Sequence, residues 1–202
     1  MTPRLAAGLM LALATAFAAA QPQQAFVTLS HDDADSIVSI GDTVTWSLSV
    51  GFSGFDPGWV VGLGDLTIAG DNALGTASDM TYEFFNGGAF FGTSNGAGVS
   101  EIRFGNAPFC VDTLCTPARA DNPLLIGSFS FTAASQGTLS YSVTEGTASW
   151  GFVEMQLDQF TRIAFGDTQT TMNVSSLTIL PSPAAAAPLV IGGLLATRRR
   201  RA

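Results

Sequence analysis

A chain of 202 residues that is 47% hydrophobic and carries 15 phenylalanines is too apolar and too aromatic for a disordered polymer. It is long enough for one domain with a sizeable core. Arg4 and Arg198 to Arg201 lie near the ends, so residues 21–180 set three basic residues (Arg103, Arg119, Arg162) against all 16 acidic ones, a net charge of −13 with no lysine. Such a surface repels phosphate backbones, which excludes nucleic acid as a partner.

In chain order, MTPRLAAGLMLALATAFAAA (1–20) joins one positive charge to an apolar run ending on small residues. This is the pattern of a secretory signal peptide cleaved between Ala20 and Gln21. The domain is then expected over 21–180. AFVTLS is its first strand candidate, followed by HDDADS, where Asp32, Asp33 and Asp35 could hold a calcium ion through carboxylate oxygens. The plainer reading is a solvated acidic turn.

TVTWSLSV alternates Val44, Trp46, Leu48 and Val50 with small hydroxyl residues, and GSFSF and GTLSYSV repeat that period of two. DLTIAG, MTYEFF, SEIRFG, ASWGFVEM and VSSLTIL are further candidates, separated by turn clusters such as GFSGFDPG, AGDN, TSNGAG and ARADNP. No amphipathic helix stands out. The pattern predicts an all-β chain, a single antiparallel β-sandwich of about seven to nine strands, for which a barrel or jelly roll would read almost alike.

Chemistry-bearing motifs are few. Gly92-Thr93-Ser94-Asn95-Gly96 matches the nucleophile-elbow pattern, but that chemistry needs a following helix and a histidine after the serine. The lone histidine, His31, precedes it. Glu83, Glu101, Glu145 and Glu154 could supply a glycan hydrolase's acid pair only if two converged across a cleft. Trp59, Trp150 and the phenylalanines at 84, 85, 90 and 91 could form an aromatic platform for extracellular polysaccharide, against the alternative of core packing. Cys110 and Cys115 would most simply close a small disulfide loop in an exported protein.

The C-terminus reads LPSPAAAAPLVIGGLLATRRRRA. Pro181-Ser182-Pro183, the charge-free run 184–197 and the cluster Arg198, Arg199, Arg200, Arg201 resemble the PEP-CTERM sorting signal of exported bacterial proteins, with serine in place of the central acid. That resemblance implies a sorting segment over 181–202, a transmembrane helix or transient anchor in the inner membrane, and an exosortase-like processing enzyme as partner. Separately, SIGDTVTWSLSV and the later IGSFSF resemble strands of cohesin-like and other Ig-like sandwiches. The expectation is an exported, non-catalytic envelope or matrix protein with no required cofactor. A carbohydrate-binding module and a secreted glycan hydrolase are the alternatives.

Overall fold

In TVTWSLSV, Val44, Trp46, Leu48 and Val50 are buried while Thr45, Ser47 and Ser49 are only partly covered. That is the alternation of a strand with one covered face. It recurs throughout the computed structural model, which describes residues 22–55, 58–83, 92–106, 109–111, 114–116, 118–147, 153–156, 160–163 and 170–182. The strand segments among them are β1 (Gln24–His31), β2 (Ile37–Ser39), β3 (Thr43–Ser53), β4 (Val60–Ala69), β5 (Gly75–Ala77) and β6 (Thr81–Tyr82). There follow β7 (Thr93–Asn95), β8 (Gly98–Gly105), β9 (Phe109–Val111), β10 (Leu114–Thr116), β11 (Leu124–Ala133) and β12 (Gly137–Ser140). The last are β13 (Ser142–Glu145), β14 (Val153–Gln156), β15 (Phe160–Ile163), β16 (Thr170–Val174) and β17 (Ser176–Leu180).

The first sheet has the order β16-β1-β3-β11-β5, with β6 also on β11; the second has the order β15-β14-β4-β8-β7, with β13 also on β4. A three-stranded sheet, β12-β17-β2, and the β9–β10 hairpin complete the described pairings. The two main sheets bury Val27, Leu29, Trp46 and Phe131 from one side and Leu66, Ile68, Ile102 and Phe104 from the other.

Two expectations need correction. Seventeen strand segments are described instead of about seven to nine, because long runs are interrupted where the chain changes sheets. Residues 170–180 leave the first sheet as β16 and enter the small sheet as β17; residues 137–145 pair with β17 as β12 and with β4 as β13. The sandwich is also not wholly antiparallel: β16 runs parallel to β1, and β17 parallel to β2. On the other side, Ala77 N–H donates to Gly96 O (2.7 Å) and Met80 N–H to Gly92 O (2.7 Å), tying the β5–β6 segment to β7. Backbone groups at these edges are thereby spent within the domain.

Trp46 lies at the centre of the core, edge-on to His31 (centroids 4.7 Å apart) and to Tyr141 (4.8 Å). Tyr141 sits between β12 and β13, and its hydroxyl donates to Ala97 O at 2.7 Å. Two asparagines fix the long connections. Asn106, buried, donates its amide to Val61 O (2.8 Å) and Arg119 O (2.7 Å) and accepts from Arg119 N–H (2.7 Å). Asn122 exchanges two hydrogen bonds with the Phe52 backbone, at 3.0 and 2.9 Å.

Candidate functional site

The structure uses most of the sequence candidates for building. Asp32 Oδ1 accepts from Thr45 N–H (3.0 Å), while Asp33 and Asp35 both accept from Ile37 N–H (2.9 and 3.2 Å). Desolvation, the largest single influence, pushes the Asp33 carboxyl up. Hydrogen bonds from the Ile37 amide, Asp35 and Ser36, with the charge of His31, outweigh it and hold the group below its ordinary 3.8. These carboxylates organise a turn, and no metal-holding group of acidic, histidine and cysteine side chains occurs among the described residues.

Gly92 to Gly96 form β7 and its turn into β8, not a strand-to-helix elbow, and Ser94 N–H donates to Asp79 Oδ1 at 2.7 Å. His31 Nε2 donates to Ser176 O at 3.1 Å, far from that serine in the fold. Trp59 packs at a tilt on Phe55 (5.2 Å), which meets Phe52 edge-on (5.4 Å), and all three lean on the core. An exposed sugar platform is therefore not built from Trp59; Trp150 and the phenylalanines at 84, 85, 90 and 91 lie outside the described residues. The described backbone sets Cys110 directly opposite Cys115 in the β9–β10 hairpin. Both side chains, and with them the expected bridge, lie outside the described residues.

What the fold does assemble lies on the outer face of the second sheet. Asp65 in β4 pairs in register with Arg103 in β8. Its side chain is wholly buried, with Arg103 Nε 3.6 Å from Oδ1. Arg103 Nη2 lies 3.8 Å from Glu101 Oε1 and donates to Thr147 Oγ1 at 3.5 Å. Glu101 holds φ at +55° beside the bulge that shifts the β4–β8 register. A left-handed non-glycine residue inside a strand stores about 1–2 kcal/mol of strain. A methyl group at Gly146, whose N–H donates to Asp65 O (2.8 Å), would run into the Asp65 carboxylate. The result is a fixed charged group: an arginine held by a buried carboxylate beside an exposed, strained glutamate. The described glutamates thus form no acid pair; Glu101 faces Arg103, Glu83 and Glu145 are exposed at strand ends, and the Glu154 side chain lies outside the description.

The outer face of the first sheet is the opposite in character. Its rows are Asn173, Thr28, Ser49 and Leu125, then Ser30, Ser47, Ser128 and Thr81, then Thr43, Thr132 and Thr76. Thr43 and Thr132 hydroxyls meet across strands at 3.0 Å. At one end Phe26 lies over Gly51, where any larger residue would collide with its ring. Leu125, 36% exposed, stands two strands away.

No protein-family model matches the chain, and no curated protein matches it. Among solved structures it is similar to the second type II cohesin module of the cellulosomal adaptor ScaA scaffoldin of Acetivibrio cellulolyticus, at 10% identity, covering 76% of this chain and 96% of that one, with a TM-score of 0.50. A type II cohesin solved in a cohesin–X-dockerin complex from the same organism aligns at 10% identity over 78% of this chain and 100% of its own (TM-score 0.49). A cohesin module from a Clostridium perfringens family 33 glycoside hydrolase aligns at 11% identity over 80% and 100% (TM-score 0.44). At such identities the likeness is one of fold.

The PEP-CTERM resemblance does not stand beside these findings. The matches lie with cohesin sandwiches, and no family model supports the sorting signal. Physically, Ser182 replaces the acid, and Pro188 interrupts an apolar run already shorter than the ~20 residues a span needs. No helix among the described residues is long and apolar enough to cross a membrane; Pro183 and Arg198 to Arg201 lie outside them. An exosortase, the inner membrane and extracellular polysaccharide are accordingly dropped as partners.

Proposed function

We propose that this chain is an exported, non-catalytic protein-interaction module of cohesin type, which docks a dockerin-like partner on the outer face of its second sheet. The observation that carries the reading is the Asp65–Arg103–Glu101 group on a sandwich whose likeness to a cohesin spans 96% of that module. Groups held rigidly in place make specific contacts without first losing conformational freedom, and charged ones discriminate between partners. Backbone strain at Glu101 persists in a strand only because its surroundings enforce it, a feature that concentrates at binding sites. The signal-like segment 1–20 supports export. The dockerin-like partner is our reading by analogy with a structural neighbour solved in a cohesin–X-dockerin complex.

The test is calorimetric titration of the purified protein with each dockerin-like module encoded in the same genome. Saturable one-to-one binding by at least one, abolished by Glu101→Lys, is expected. Failure of every such module to bind would sink the proposal.

A further inference from the structure

We infer that the outer face of the first sheet is a self-association surface, on which two copies of this chain pack about a two-fold axis lying along β3. This goes beyond the proposed function, which uses the opposite face.

Charge points to a second copy. Residues 21–180 carry −13, so two copies repel each other over most of their surfaces. The exposed carboxylates among the described residues sit in turns, at strand ends or on the second sheet: Asp32, Asp35, Asp42, Asp71, Asp121 and Glu101 are examples. The described outward positions of β16, β1, β3, β11, β5 and β6 carry none. Among the described residues, carboxylates on this face stand only at the ends of β1 and β6, as Asp32 beside Thr45 and Glu83 beside Ile126, and the rows between them let two such domains approach without setting carboxylate against carboxylate.

Shape points the same way. Five strands about 4.8 Å apart, over the roughly 27 Å from Thr43 to Gly51, offer about 650 Å² per copy, or about 1,300 Å² in total. That lies within the range of specific interfaces, about 1,200–2,000 Å². An axis along β3 exchanges β1 with β11. Phe26 of one copy then comes beside Leu125 of the other, and the reverse, as a two-fold interface requires. Ser47 lies near the axis and faces its own counterpart.

The experiment is sedimentation equilibrium of the full-length protein and two variants. Ser47→Glu sets two like charges across the axis; Thr67→Glu adds the same charge on the outer face of the second sheet. Wild type and Thr67→Glu should dimerise alike, while Ser47→Glu should raise the dimer dissociation constant at least tenfold with an unchanged circular dichroism spectrum. Leu125→Ser, at an exposed position, should weaken the dimer too, which guards against a folding defect in Ser47→Glu. A monomeric wild type at about 100 µM, where a standard-size interface would hold, overturns the inference. So does a dimer indifferent to both Ser47→Glu and Leu125→Ser.

Discussion

Replacing Tyr141 by phenylalanine keeps the ring against Trp46 (4.8 Å) and Phe129 (5.7 Å) and removes only the hydroxyl. That hydroxyl donates at 2.7 Å to the carbonyl of Ala97, a fully buried residue in the β7–β8 turn. The bond joins the strand that changes sheets to the turn at the far edge of the second sheet. The loss has two parts: a hydrogen bond worth about 1 kcal/mol net, and the desolvation of a carbonyl left without a partner, about 1–3 kcal/mol. A total of about 2–4 kcal/mol follows, equivalent to a fall in Tm of roughly 4–16 °C for a domain of this size. Urea denaturation followed by tryptophan fluorescence reads the difference, at unchanged m-value. A loss below about 0.5 kcal/mol would refute the role assigned to the bond.

Four further outcomes are expected. Burial pushes the Tyr82 hydroxyl up to about 12, against the opposing pull of the Arg103 backbone and charge, and burial raises Tyr141 further. These are the only 2 tyrosines, so absorbance titration of the folded protein should show no phenolate near pH 10, where both ionise once unfolded. Because the folded values are raised, their stabilisation is complete below about pH 10 and is lost as pH rises toward 12 and beyond; titration at pH 10 in the native state would contradict this. Asn106→Ala deletes one buried and two partly buried hydrogen bonds and should cost about 2–4 kcal/mol, with faster tryptic cleavage after Arg119; unchanged proteolysis would count against the clamp. Glu101→Gly relieves the left-handed strain, so stability should hold or rise by up to about 1 kcal/mol while partner binding falls; a marked loss of stability would show the geometry to be unstrained. Mass measurement of exported protein should find Gln21 as its first residue, and a retained Met1 would exclude the signal reading.

The parts of the fold that were legible in the sequence are those whose burial repeats with period two. β1, β3 and β11 each bury alternate residues over seven or more positions, enough for the pattern to rise above chance. β2, β5, β7, β9 and β10 span only three residues each and exist because a neighbouring strand pairs with them, which leaves no period to read. Parallel pairing of β16 on β1 joins segments nearly 150 residues apart, and nothing local encodes it. The charged group was hidden in the same way. Asp65 reads as one more turn aspartate, yet its strand, DLTIAG, places it opposite Arg103 across a register that only the folded sheet defines. The hydroxyl face, by contrast, was visible in TVTWSLSV, because a face left uncovered by the core must carry the alternate residues.

The most direct test of the central claim is where a bound partner shields the backbone. Hydrogen–deuterium exchange of the protein with and without its dockerin-like partner should slow exchange in β4 and β8, around Asp65, Glu101 and Arg103. Exchange in β1, β3 and β11 should stay unchanged. Protection confined to β1, β3 and β11, or absent from both sheets at saturating partner, would contradict the assignment of the second sheet as the docking face.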